Sequence, residues 1–186
     1  MPRLFIGLDI PPAQRMLLSF LQSGLDGARW VEASDLHITL RFIGDVSPST
    51  ADQIVDVLDQ VRYPAPAIEL GELACFGGTK PRSIYASVAT DSRLMAFQAK
   101  LERLMQELGL PAEKRKFTPH VTLARFGKIE PIEVARYLAQ RGAFNAAPYR
   151  PTRFILYSAR DSVGGGPYHA EETFRFLEGG EYGAKA

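Results

Sequence analysis

One five-residue pattern occurs twice in this chain, and it constrains the fold more than any other feature. The copies are Leu36-His37-Ile38-Thr39-Leu40 and Pro119-His120-Val121-Thr122-Leu123, and each continues to an arginine and a phenylalanine. Each reads as a strand. Alternation puts His37 and Thr39 on one face and Ile38, Leu40 and Phe42 on the other, and it separates His120 and Thr122 from Val121 and Leu123 in the same way. The apolar set anchors each strand in a core, which leaves the polar set facing whatever lies opposite. Two such strands on a common cleft would present two imidazoles and two hydroxyls to one ligand. The chain holds only three histidines, and two of them stand in matching contexts 83 positions apart (120 minus 37).

That group of side chains suits a phosphodiester. A neutral imidazole takes a proton from water as its oxygen attacks phosphorus, and a protonated one gives a proton to the departing ribose oxygen. An unperturbed pKa near 6.5 makes both forms available around neutral pH. Threonine hydroxyls can donate to the non-bridging oxygens, where charge builds in the transition state. No metal or other cofactor is required if the two protons move this way.

Strand-like and helix-like stretches alternate around the two motifs. Strands are expected over 3–10, 36–43, 67–76, 83–89, 117–126, 153–159 and 172–177, with helices over 13–21, 49–62, 91–108 and 131–141. Asp91 is placed to cap the third helix, Pro131 to open the fourth, and Gly109 to end the third. The glycine-rich stretch 164–167 reads as a turn, and 179–186 as a frayed tail. The pattern is α+β, with no linker and no short-period repeat, and it predicts one two-lobed domain over residues 1–178.

Cys75 is the sole cysteine, which rules out an internal disulfide framework and any multi-thiolate metal site. A formal charge of +1 argues against a generally basic coating, so nucleic acid would have to meet a local patch. No apolar run reaches the roughly 18 residues needed to span a membrane. The short opening run contains Asp9 and lacks a cleavage site, so it reads as a strand rather than a secretory signal. The expectation is therefore a cytoplasmic protein, monomeric by default.

With these residues in view, the chain resembles the two-histidine phosphoesterase superfamily, and within it the RNA 2′,3′-cyclic phosphodiesterases historically named 2′-5′ RNA ligases. The likeness is carried by Arg3-Leu4-Phe5-Ile6-Gly7-Leu8, Trp30, Leu36 to Gly44, Phe117 to Arg125, Leu156-Tyr157-Ser158 and Gly166-Pro167-Tyr168. It implies a bilobal α+β fold with two pseudo-symmetric, mainly antiparallel sheets flanked by helices around a central cleft. It also implies opening of a terminal 2′,3′-cyclic phosphate to a 2′-phosphate, on RNA ends such as tRNA fragments or on small cyclic nucleotides. On the family pattern His37 is the proton donor and His120 the acceptor, although pseudo-symmetry leaves a swap open. Thr39 and Thr122 complete the pair of motifs.

The same resemblance makes Arg125 a phosphate-binding residue. Strict alternation would put it on the face opposite His120, so the strand must end or bulge before it. Arg41 shares a face with His37 and Thr39 on strict alternation, and it either reaches the cleft or lies beyond the ligand. Phe5 is a candidate base-stacking residue or simple core packing, and Tyr168 lines the cleft or is a buried aromatic. Trp30 reads as core or rim and His169 as surface. Lys114-Arg115-Lys116 leads into the second motif and would steer an RNA backbone. Three rival readings keep some of these features: an RNA- or nucleotide-binding module with little turnover, a reversible 2′-5′ ligase, and a zinc hydrolase. The last lacks an acidic ligand in either motif.

Overall fold

The computed structural model describes residues 3–159 and 166–177. Within them the chain runs β1 (Arg3–Asp9), α1 (Pro12–Leu21), β2 (Ala28–Trp30), a single 3-10 turn (Ala33–Asp35), β3 (His37–Asp45), α2 (Pro48–Asp59), β4 (Leu70–Phe76), β5 (Ser83–Val88), α3 (Ser92–Glu107), β6 (His120–Phe126), α4 (Pro131–Arg141), β7 (Arg153–Ser158) and β8 (His169–Arg175). The expected tail, 179–186, and residues 164–165 of the expected glycine turn lie outside the described residues.

Local chemistry sets the helix ends. Pro12, Pro48 and Pro131 open α1, α2 and α4, where a missing N–H costs nothing. The Asp91 carboxylate accepts from the Leu94 backbone N–H at 2.9 Å, and the Ser47 hydroxyl accepts from that of Thr50 at 3.1 Å. Gly109 closes the turn after α3 with φ +82°, a conformation that L side chains disfavour.

All strand pairs between named strands are antiparallel, in the order β4-β5-β6-β3-β1-β7-β8, with β2 paired to β6. The α+β expectation with antiparallel sheets and outer helices is met, and the two expected sheets join through one residue pair, Ile38 with Val121. The order encodes a duplication. The series β1-α1-β3-α2-β4 is repeated as β5-α3-β6-α4-β7, and the last strand of each series pairs with the first strand of the other. β3 and β6, the third element of each series, therefore meet at the centre of the sheet.

The apolar stripe of α3 (Leu94, Phe97, Leu101 and Met105) is fully buried. Phe97 meets the rings of Tyr63, Phe154 and Phe176, which ties the helix to the sheet and to the segment after β8. Burying side chains of this size contributes about 1.5–3 kcal/mol each, which holds α3 against β3 and the strands beside it.

Two strand irregularities place the site. In β6, Thr122 pairs with Tyr85 and Ala124 with Ile84, so Leu123 is an extra residue. In β3, Thr39 pairs with Gly7 and Arg41 with Ile6, so Leu40 is extra in the same way. Each bulge sits three residues after its histidine and resets the alternation beyond it.

Candidate active site

Antiparallel pairing of Ile38 with Val121 sets the register of the two motifs. Extending it one residue each way places His37 opposite Thr122 and Thr39 opposite His120. Since Ile38 and Val121 are fully buried, these four side chains share the other face, as a crosswise patch on the pseudo-two-fold axis.

The two imidazoles are held alike. His37 Nδ1 lies 2.7 Å from the Asp35 carbonyl oxygen, and His120 Nδ1 lies 2.7 Å from that of Thr118. A carbonyl only accepts, so Nδ1 carries the proton in both rings, and Nε2 is the atom left to gain or lose one. His37 Nε2 is 3.1 Å from the Thr39 hydroxyl. Each ring also rests on a stacked aromatic pair. Phe5 and Tyr157 stack at 5.0 Å beside His37, whose ring centre is 4.9 Å from that of Phe5. Phe76 and Tyr85 stack at 4.0 Å beside His120, at 4.9 and 5.3 Å. Tyr168 meets His37 and Phe5 edge-on.

These surroundings make the charged imidazoles costly. Burial, with some help from the Arg125 and His120 charges, lowers His37 to about 4, against the opposing pull of its bond to the Asp35 carbonyl and of the Asp35 carboxylate. Burial and then Arg125 also lower His120, against its bond to Thr118, and among the described residues no carboxylate joins these causes. The pair is thus symmetric in geometry and asymmetric in electrostatics. Asp35 is itself buried, and its side chain accepts from the Tyr168 backbone N–H at 3.2 Å. A side chain at Gly166 would collide with the Asp35 carboxylate. The segment that carries Tyr168 is therefore packed against the residue that holds His37.

The β6 bulge brings Arg125 round to the face of His120 and Thr122. It lines a cleft of about 700 Å³ with His120, Thr39, Arg29, Arg82 and Phe42, and its buried Nε meets no acceptor among the described residues. A buried cationic donor without an acceptor fits an anionic ligand. The same device corrects the expectation for Arg41. After the β3 bulge, Arg41 joins Leu40 on the buried side, and Phe42 takes the place on β3 that Arg125 holds on β6. Although Arg41 contributes to the cleft wall, its guanidinium pairs with Glu102 on α3 and donates to the carbonyls of Phe42 and Pro111. It braces the wall rather than offering a free donor.

Burial opposes the Glu102 charge, yet donors from Gln106, the Glu113 backbone and Arg41 outweigh it and hold its carboxyl below the usual range. Glu102→Ala should therefore lower the unfolding free energy by about 3 kcal/mol, because it strands the Arg41 charge. Urea denaturation reads this as a lower midpoint at unchanged slope. An unchanged midpoint would mean that Arg41 holds itself without Glu102.

Phe5 is 4% exposed and enclosed by Tyr157, His37 and Tyr168, so it supports the His37 ring and offers no face to a base. Tyr168 is half-buried against His37. Trp30 lies partly exposed on β2, and His169 is exposed on β8. Arg115 and Lys116 reach the cleft wall, with Arg115 bonded to Glu113. Tyr85, Phe76, Tyr157, Arg29 and Arg82 were not legible as site residues. For Tyr85 a signal existed, since Ile84, Ala86 and Val88 mark the buried face of β5 and leave Tyr85 and Ser87 to the other.

Among the described residues, no group of three or more His, Cys, Asp or Glu side chains is gathered to hold a metal ion, and no helix is long and apolar enough to cross a membrane.

Comparison with known proteins places this geometry. The family model of the 2′-5′ RNA ligase superfamily matches residues 11–161. An RNA 2′,3′-cyclic phosphodiesterase of Aeropyrum pernix is 39% identical over 97 residues, covering 51% of this chain and 55% of that protein. The chain thus spans about half the length of that relative. One of the same name from Methanocaldococcus jannaschii is 30% identical over 129 residues, covering 66% of this chain and 70% of its own. Among solved structures, E. coli LigT complexed with 3′-AMP superposes with a TM-score of 0.78 at 22% identity, covering 96% of this chain and all of that one, which bears on the fold.

Proposed function

The chain belongs to the 2′-5′ RNA ligase superfamily, and from that premise we propose that it is a cyclic phosphodiesterase, opening terminal 2′,3′-cyclic phosphates of RNA to 2′-phosphates without a metal. The observation that carries this reading is the crosswise patch of His37, Thr39, His120 and Thr122, with both Nδ1 atoms committed to carbonyls. Acid–base work needs two imidazoles fixed in one tautomer on opposite sides of a reacting group, and the patch supplies them. Simple binding would not need a matched pair.

The steps follow from the positions. His120 lines the open cleft, where water arrives, and its neutral Nε2 takes the proton as the water oxygen attacks phosphorus. His37 is more enclosed, and burial makes its imidazolium costly in the free protein, with the Asp35 carboxylate pulling the other way. Its acid role follows the family pattern and relies on the bound anionic substrate to help charge the ring. His37 delivers its Nε2 proton to the 3′ oxygen as the bond to phosphorus breaks. The phosphodiester is itself an anion, and its arrival offsets part of the cost that burial and then the Arg125 charge put on protonation. Arg125 and the two threonine hydroxyls donate to the non-bridging oxygens, which gain charge in the transition state. The product keeps its phosphate on the 2′ oxygen.

The test is product analysis of a short RNA ending in a 2′,3′-cyclic phosphate, with EDTA present throughout. Complete conversion to the 2′-phosphate, at the same rate with and without chelator, is the expected result. A 3′-phosphate product would reverse the assigned leaving group, and loss of activity in EDTA would remove the metal-free mechanism. Binding without turnover would favour a recognition module.

A further inference from the structure

We propose that the cleft has a second phosphate subsite, built by Arg29 and Arg82 on the wall formed by β2, β6 and β5. It takes the internucleotide phosphodiester next to the reacting end, so the substrate is an RNA of at least two nucleotides rather than a cyclic mononucleotide. This inference rests on the reading of the site as a cyclic phosphodiesterase.

The first observation is a like-charge pair. Arg29 on β2 is directly opposite Arg125 on β6. Cations placed opposite each other on paired strands repel, and the arrangement is unfavourable unless an anion lies between them. Arg82 adds a third charge from the start of β5, beside Ser83, which is itself opposite Arg125. Among the described residues no carboxylate pairs with Arg29, Arg82 or Arg125, although all three line one cleft, and there the nearby Arg41 and Arg115 do have acidic partners. The acid on this wall, Glu113, is engaged by Arg115.

The second observation is the one-sidedness of this charge in a duplicated fold. At the place on β3 that matches Arg125, the chain has Phe42, and the rings of Phe5, Tyr157 and Tyr168 close around His37. The strand position that carries a cation on β6 carries an aromatic ring on β3, so the arginines of the cleft gather on the β6 side. A protein with a net charge of only +1 has gathered these arginines at one wall. Catalysis on one phosphate needs the charge of Arg125, while Arg29 and Arg82 are in excess of it. Phe42, 41% exposed, lies on the same cleft and offers a face on which a neighbouring base can stack. Alternating cations and aromatic faces is how a single strand is held without reading its sequence.

The measurement compares adenosine 2′,3′-cyclic phosphate with the dinucleotide ApA carrying the same cyclic end. Wild type should favour the dinucleotide in kcat/KM by about tenfold or more, the scale of one hydrogen bond to a charged group. Arg29→Ala and Arg82→Ala should each erase most of that preference through KM, and each should flatten the salt dependence seen with the dinucleotide. Arg29→Lys should restore part of it. Both arginines are exposed, so loss of folding is not expected to intervene. Calorimetry with the products, adenosine 2′-phosphate and ApA ending in a 2′-phosphate, reads the subsite independently of turnover. If wild type turns over neither substrate but binds the longer product more tightly in an Arg29-dependent manner, the subsite stands and the catalytic reading falls. Equal preference in wild type and both variants, by turnover and by binding, overturns the subsite and leaves these arginines as solvated surface.

Discussion

Alanine at His37 or at His120 is expected to lower kcat for a 2′,3′-cyclic phosphate by roughly 10²–10⁴-fold, the usual contribution of a positioned acid or base. The effect should fall on kcat rather than KM, because each Nε2 acts on a proton that moves only as bonds to phosphorus change. The double variant should be little worse than either single one. Acid and base work in one concerted displacement, so once one proton transfer is lost the other has less to accelerate. Thr39→Val and Thr122→Val should cost less, since each removes one donor among several to the phosphoryl oxygens. Gel or mass analysis of a cyclic-ended RNA under single-turnover conditions measures all five variants. Equal rates in wild type and both histidine variants would end the two-histidine mechanism. Loss in only one of them would limit the chemistry to one imidazole, with water as its counterpart.

The sequence carried the centre of this site and lost its edges for a specific physical reason. His37 and Thr39, and His120 and Thr122, were readable because two-residue alternation holds from each histidine to its threonine. Beyond that point both strands bulge, at Leu40 and at Leu123, and a bulge depends on the partner strand, which no local pattern shows. Arg41 and Arg125 illustrate the cost. Counting by twos puts Arg41 on the His37 face and Arg125 on the face opposite His120. The structure turns Arg41 to the buried side, where it braces the cleft wall, and brings Arg125 to the His120 face. For Arg125 the family likeness demanded a bulge; for Arg41 nothing in the sequence did.

Fold elements were legible where local chemistry specifies them. The Asp91 cap, the Pro131 start and the Gly109 stop define α3 and α4 almost to the residue. β2 was missed, since three residues, Ala28 to Trp30, give no periodicity to detect. The exchange of last strands between the two series was also beyond reach, because β4 with β5 and β7 with β1 are choices of tertiary pairing. That exchange explains the aromatic supports. Tyr157 on β7 reaches His37 on β3 through β1, and Phe76 on β4 reaches His120 on β6 through β5. Each histidine rests on a strand that comes from the other repeat.

Arg125→Ala should lower kcat/KM by about 10²–10³-fold and also move the pH profile, and the second effect separates its role from mere packing. The rate loss is the usual one for removing a preorganised donor to developing charge. The pH effect follows from the causes acting on the two imidazoles. In the free protein burial lowers both, with the Arg125 charge adding to it, so both limbs of kcat/KM should lie below the ordinary imidazole value of 6.5. Those limbs belong to the coupled pair and not to one ring each. The acid limb marks loss of the neutral base as pH falls, and the basic limb marks loss of the protonated acid as pH rises. Removing a neighbouring cation makes either imidazolium easier to form, so both limbs should shift to higher pH in Arg125→Ala. In wild type the kcat profile, which reports the complex, should already lie above that of kcat/KM, because the bound phosphodiester supplies a negative charge beside the same rings. Arg125→Lys should retain the position of the limbs but not the full rate, since lysine keeps the charge and lacks the planar fork that matches two phosphoryl oxygens. An Arg125→Ala profile that is lowered but unshifted would place the guanidinium too far from the imidazoles to act on them, and would leave it only an anchor for the phosphate.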